Sequence, residues 1–215
     1  MRKSMIALAA LTIGSSLTAQ QPQGKSGAGT TPPGWTMKMD PKDATKTAKF
    51  VTMGPGFHVT SGGAAIYYNP ADVQGKDNFT VSANFRQTKK AEHPEAYGLI
   101  AGGQNLDDPA KQAYYYFVVR QDGSFLINHR AGAEVHKLVD WKPNAAIVKF
   151  DDKPNASNDL AIRVGSDSVR FLVNNKPVHA ISRTQITDAS GMVGLRVNHE
   201  LDVHVANYTV TKGTK

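Results

Sequence analysis

The 215-residue sequence contains no cysteine. Disulfides, thiolate zinc sites and cysteine nucleophiles are therefore excluded. It also lacks a dense cationic stripe. The formal net charge is +7, but Lys and Arg are scattered, Lys89-Lys90 is the densest spot, and Arg2 and Lys3 lie in a segment expected to be removed. A nucleic-acid partner would call for a patch, so none is expected. No apolar run is long enough to cross a bilayer, because the longest, Met5 to Leu17, falls short of the ~20 residues required. Helical periodicity is nearly absent and no internal repeat is visible. There is no G-x-S-x-G, and the seven histidines show neither H-x-H nor H-E-x-x-H spacing. Neither a serine nucleophile on a strand-to-helix elbow nor a catalytic zinc site is expected.

What is present at the N-terminus reads as an export signal over residues 1–19: a positive head, Met1-Arg2-Lys3, an apolar run, and the small-residue cleavage site Leu17-Thr18-Ala19. The mature product is expected to be periplasmic or secreted, without an integral membrane segment. Cysteine is absent from the cleavage point, which argues against a lipoprotein. Residues 20–34, QQPQGKSGAGTTPPG, have no large apolar side chain and read as a disordered linker. One domain over 35–215 then remains, large enough to bury a core without covalent staples. The N-x-[ST] sequons at Asn78, Asn155 and Asn207 are read as chance matches in a bacterial chain.

From Trp35 onward the signals are for strands. Short β-rich runs at Lys49–Met53, Phe57–Thr60 and Ala64–Tyr68 are punctuated by Gly54-Pro55-Gly56, Gly62-Gly63 and Asn69-Pro70. Phe79–Thr88 alternates, with Phe79, Val81, Ala83 and Phe85 on one face and Thr80, Ser82, Asn84 and Arg86 on the other. Ala96–Gly103 is rich in small residues, as where another chain or a ligand approaches closely. Glu134–Trp141, Ala146–Phe150, Leu160–Val164, Ser168–Val173, Pro177–Ile181, Met192–Asn198 and Asp202–Thr211 complete about a dozen strands. Such spacing predicts an all-β, two-sheet antiparallel sandwich or jelly roll.

The most informative stretch is Ala113–Arg130, AYYYFVVRQDGSFLINHR, which reads as a hairpin turning at Asp122-Gly123. A two-residue turn pairs Val119 with Leu126, Val118 with Ile127, Phe117 with Asn128 and Tyr116 with His129. Tyr115, Phe117, Val119 and Leu126 then share one face; Tyr114, Tyr116, Val118, Phe125, Ile127 and His129 share the other. Neither face is polar, so the hairpin belongs mid-sheet, with a core on one side and a covered or ligand-facing surface on the other.

The succession FTVSANFR, YGLIAGG, YYYFVVRQDG, Trp141, NDLAIRV, VRFLVNNKPV, GMVGLRV and NYTV resembles the concanavalin A-like lectin/glucanase jelly roll. Within that group it is most similar to laminin-G-like and 3-keto-disaccharide-hydrolase-type domains of exported bacterial proteins, over roughly Lys49 to Lys212. The resemblance implies two antiparallel sheets, one curved, with a concave face that often binds glycans. It implies no single activity, because the fold carries lectins, hydrolases, lyases and inert modules.

Several constellations could carry chemistry. Glu200, Asp202 and His204 resemble the E-x-D-x-E of glucanases of this fold, but His204 stands where the second glutamate belongs and the motif lies in the last strand. The plainer reading is a polar outer face opposite Leu201, Val203 and Val205. Glu92-His93-Pro94-Glu95 could supply acid, base or ligands from a loop, though such loops are usually just solvated. Asn105, Asp107, Asp108 and the pair Asp151-Asp152 offer oxygen ligands for a structural calcium, without the spacing of a dedicated loop. No other metal or cofactor is expected.

Tyr114, Tyr116 and His129, with Arg86 and Asn84 if Phe79–Thr88 lies in the same sheet, would form a binding face of flat rings and hydrogen-bonding tips suited to a pyranose. Ordinary core is the competing account of the tyrosines. The sequence thus reads as an exported, non-catalytic jelly-roll module binding a saccharide or cell-envelope partner. The alternatives are a glycoside-acting enzyme of the 3-keto-glycoside hydrolase or lyase type, and a structural or adhesion module with a protein partner.

Overall fold

A computed structural model describes residues 31–150, 156–186 and 188–213. The expected signal, most of the expected linker and the Asp151-Asp152 pair lie outside the described residues. Of the linker, residues 31–34 are described: Pro32 is buried and its carbonyl accepts the Trp35 amide.

Fourteen strands form two seven-stranded antiparallel sheets. In chain order they are β1 (Thr36–Met39), β2 (Ala48–Met53), β3 (Gly56–Ser61), β4 (Ala65–Gln74), β5 (Phe79–Gln87), β6 (Ala96–Gln104), β7 (Ala113–Arg120), β8 (Ser124–Ala131), β9 (Glu134–Pro143), β10 (Ser157–Val164), β11 (Ser168–Val173), β12 (Lys176–Ser182), β13 (Gly191–Val197) and β14 (Leu201–Lys212). The back sheet runs β1-β4-β13-β6-β7-β8-β9 and the front sheet β12-β11-β10-β5-β14-β3-β2. A 3-10 turn, Pro41–Asp43, follows β1. The sandwich read from the sequence is the architecture found.

The core between the sheets follows from alternation. Phe79, Val81, Ala83 and Phe85 of β5 meet Tyr97 and Leu99 of β6 and Phe117 and Val119 of β7, all buried. Trp35 closes one end, its ring 4.8 Å from Phe57, 5.0 Å from Tyr208 and 5.5 Å from Phe50. The small-residue run of β6 is explained by its neighbour: a Cβ on Gly98 would collide with the Phe117 carbonyl.

The hairpin differs from expectation by one residue. Val119 faces Phe125, Phe117 faces Ile127, Tyr116 faces Asn128 and Tyr115 faces His129. The loop is Gln121-Asp122-Gly123, with Gly123 at φ +87° and its amide donating to the Arg120 carbonyl at 3.0 Å. Gln121 is drawn out of the ladder by distant partners: its Oε1 accepts Gln87 Nε2 at 2.9 Å and the Ala91 amide at 3.1 Å, and its Nε2 donates to the Ala91 carbonyl at 3.0 Å. A one-residue slip moves every side chain of one strand to the other face. Phe125, Ile127 and His129 therefore point into the sandwich, and Leu126 and Asn128 point out.

Two further differences concern strand ends. Ala146–Phe150 is not a strand; it crosses one end of the sandwich and is held by a side chain. Asn158, 0% exposed, accepts the Val148 amide at 2.8 Å and Asn174 Nδ2 at 3.1 Å through Oδ1, and donates Nδ2 to the Val148 carbonyl and Tyr97 hydroxyl, both at 3.1 Å. β4 continues past Asn69-Pro70 because its pairing with β13 is irregular between Met192 and Gly194, where Pro70 owes no ladder bond.

Candidate functional site

The outer face of the back sheet is a second core. Ile66, Tyr68, Ile100, Tyr114, Tyr116, Val118 and Leu126 are buried there, together with Leu106 from the β6–β7 loop folded across them. Arg196, in the middle of β13, lies beneath this cover. Its Nη1 and Nη2 donate to Asp40 Oδ1 and Oδ2 at 3.2 and 2.8 Å, and Nη1 also donates to the Tyr114 hydroxyl at 3.1 Å. The guanidinium sits 4.7 Å from the Tyr116 ring centroid, and Asn128 Nδ2 donates to the Tyr116 hydroxyl at 2.8 Å. Burial alone would raise the Asp40 carboxyl, but the charge and hydrogen bonds of Arg196 hold it below the usual carboxylate range. Tyr114, at 0% exposure, and Tyr116, at 8%, are thus packing groups.

The five residues expected to form one binding face are not together. His129 lies on the opposite face of the back sheet from Tyr114 and Tyr116, stacked on Tyr115 with His136 beyond it, because of the three-residue loop. Arg86 and Asn84 belong to β5, in the front sheet. Arg86 is exposed and Asn84, like His129, is half-buried.

The outer face of the front sheet is built in rows, because antiparallel pairing places every second residue of neighbouring strands abreast. One row reads His58 (β3), His204 (β14), Arg86 (β5) and Ser157 (β10). The next reads Ala206, Asn84 and Asp159, and a third Thr209, Ser82, Ala161 and Leu172. Between Ala206 and Thr209 the ladder skips; Asn207, at φ +52°, bulges outward while Tyr208 packs against Trp35.

The result is an open depression of ≈ 250 Å³ with Ser82, Asn84, Asp159, Asn175, Asn207 and Thr209 around Ala161 and Leu172. Leu172 belongs to neither hydrophobic core, so it serves as an apolar floor. The polar groups are held in place: Asn84 Nδ2 donates to Asp159 Oδ1 at 2.7 Å, Ser157 Oγ to Asn84 Oδ1 at 3.0 Å, and the Ser82 and Thr209 hydroxyls share a 2.9 Å bond.

The Glu200-to-His204 motif borders the depression as a polar outer face. Leu201, Val203 and Val205 are in the core, and Glu200 sits in the preceding turn at φ +53°, apart from Asp202 and His204. Asp202 lies 3.0 Å from His58 Nε2 and accepts hydroxyls from Thr88 and Thr60. Burial, then the nearby Arg86 and His58, holds His204 below the ordinary imidazole range, so its ring is neutral at pH 7. Of Glu92 to Glu95, Glu92 and His93 are solvated, while Glu95 meets His199 Nδ1 at 3.0 Å. Asn105 turns the chain at φ +49°, and Asp108 pairs with Lys111 and caps the Ala110 amide. Among the described residues no three His, Asp or Glu side chains are placed to hold a metal.

Sequence reasoning missed Arg196, Asp159 and Leu172. For Arg196 a signal existed: a lone cation between Leu195 and Val197 in an apolar strand requires a buried partner.

No protein-family model and no curated protein matches this sequence. Solved structures do. The carbohydrate-binding module CBM66 from Bacillus subtilis superposes with a TM-score of 0.62 at 13% identity, over 83% of this chain and 96% of that one. A Bacillus subtilis protein described as having a galectin-like fold gives 0.56 at 11% identity, over 83% and 89%. The laminarinase catalytic domain from Thermotoga maritima gives 0.56 at 12% identity, over 87% and 95%. These likenesses, with the two seven-stranded antiparallel sheets, establish that the chain has the concanavalin A-like jelly-roll fold.

Proposed function

We propose that the chain is an exported, non-catalytic saccharide-binding module whose site is the outer face of the front sheet around Asn84, Asp159 and Leu172. The observation that carries this is the depression itself. An apolar floor at Ala161 and Leu172, ringed by amide, hydroxyl and carboxylate groups on paired strands, matches a sugar ring, which presents C–H on its faces and hydroxyls at its edge. Arg86 and neutral His204 extend the row of donors and acceptors beyond it. The likeness to a protein named as a carbohydrate-binding module supports the same reading.

Hydrolysis of the usual kind needs two opposed carboxyl groups. Among the described residues lining the depression, Asp159 is the single carboxylate, and one of its oxygens is held by Asn84. This supports binding over catalysis. Export rests on the positive head and apolar run of residues 1–19.

The test is a glycan array probed with the mature chain, followed by titration of the best saccharide against variants. Asn84→Ala and Asp159→Ala should each weaken binding about tenfold, the loss of one or two hydrogen bonds to the ligand. A saccharide bound with unchanged affinity by both variants would place the site elsewhere.

A further inference from the structure

A second hollow, far from the front-sheet depression, lies over the sealed face of the back sheet. It measures ≈ 470 Å³ and is lined by Pro41, Lys42, Pro109, Ala110, Arg130 and Ala133, from the turn after β1, the β6–β7 loop and the β8–β9 hairpin. That volume is within the ~300–1,000 Å³ of small-ligand sites.

Its walls are fixed. The Asp40 amide donates to the Ala64 carbonyl and that of Asp43 to Asp40, both at 2.8 Å; the Gly132 amide donates to the Gln112 carbonyl at 2.7 Å. Asp108 Oδ1 accepts the Ala110 amide at 2.9 Å. Arg130 Nε donates to the Gly132 carbonyl at 2.7 Å, which sets the guanidinium plane and leaves its two Nη groups without a protein partner among the described residues.

The charge balance leaves the hollow positive. Asp40, the nearest acid, has both oxygens taken by Arg196. Asp108 is paired with Lys111, and Asp43 accepts the Ala64 amide and faces His199. Glu134 pairs with Ala131 across the hairpin, one residue out of step with Arg130, and so lies on the opposite face, beside His136. Arg196, Arg130 and Lys42 all act on the one Asp40 charge, so three cations face a single carboxylate and the hollow keeps an excess of positive charge, in a chain whose net charge is already +7.

We propose that this hollow binds the carboxylate of an acidic sugar, a hexuronate, independently of the front-sheet site. The Arg130 Nη edge takes the carboxylate, since a planar fork matches two carboxylate oxygens, and Lys42 adds a point charge. Pro41, Pro109, Ala110 and Ala133 supply aliphatic surface for the ring.

The test is an amide NMR titration of the full chain with glucuronate, with glucose and inorganic phosphate as separate arms. Glucuronate should saturably shift the amides of Lys42, Ala110, Arg130 and Ala133, weaken with added salt, and leave Asn84 and Asp159 unmoved. Glucose should leave all four amides in place, and phosphate should bind more weakly than glucuronate. Arg130→Gln should lower the glucuronate affinity about tenfold and Lys42→Gln about threefold. Lys42 is fully at the surface, so the second variant reads out even if the first is unstable. Equal shifts from glucose and glucuronate, unchanged affinity in Lys42→Gln, or phosphate binding as tightly as glucuronate would each overturn the assignment.

Discussion

His129 lies flat against Tyr115 across the β7–β8 pair, ring centroids 4.5 Å apart and planes 25° from parallel, with His136 a further 5.9 Å along the same stack. Its protonation would put a cation into a packed aromatic rim.

Stability should therefore fall on mild acidification. Burial, then His136, lowers the His129 pKa; burial, then Lys142, lowers that of His179; burial, then Arg86 and His58, lowers that of His204. The unfolded chain binds these protons first, so stability is full above the ordinary imidazole value of about 6.5 and declines as pH drops through the window beneath it. Asp40, whose pKa is depressed, adds a second loss below about pH 4. Urea midpoints between about pH 8 and pH 5 should decrease with acid, and His129→Gln should flatten the slope. A flat or rising midpoint over that range would contradict the account.

Asn158→Leu should destabilise by about 3 kcal/mol, because a leucine strands the Val148 amide and the Asn174 side chain without partners. The loss is read from chemical denaturation. Amide exchange at Val148 should accelerate as well, and a variant that keeps Val148 protected would show that the segment is held by other contacts.

Tyr116→Ala and Arg196→Met address the sealed face. Truncating Tyr116 should cost ~3–5 kcal/mol of stability, as for other buried aromatics, without changing affinity for a front-sheet saccharide. Arg196→Met should cost ~3–5 kcal/mol because Asp40 is left buried and charged, and Asp40→Asn in the same chain should recover part of it. Reduced saccharide affinity in a folded Tyr116→Ala protein would restore the aromatic face as a binding surface.

The sandwich was legible because alternation is local: β5 announces its inner and outer faces within nine residues, and Asn84 and Arg86 were placed correctly on its polar side. The hairpin register was not. Asp-Gly fits a two-residue turn and equally a three-residue loop ending in a left-handed glycine. The choice was made by Gln121 bonding to Gln87 and Ala91, thirty or more positions away. Which sheet face is covered was equally non-local. Tyr114 and Tyr116 have the composition of a sugar platform, and only Leu106 and Asp40 folding across them make them core. Ala146–Phe150 misled for a related reason: the Ala146 and Ile147 amides are satisfied by Asn144, that of Val148 by the Asn158 side chain and that of Phe150 by the Gln121 carbonyl, so Ile147 packs without a ladder.

The last two strands in sequence are central in space. β13 sits between β4 and β6, and β14 between β3 and β5. Until residues 191–212 are available, each sheet exists only as two separate fragments, with long unpaired edges facing the gap. Assembly must therefore wait until residues 191–212 have been made: a nascent or clipped chain that stops short of them cannot join either sheet, and its open edges leave it exposed to aggregation in the interval.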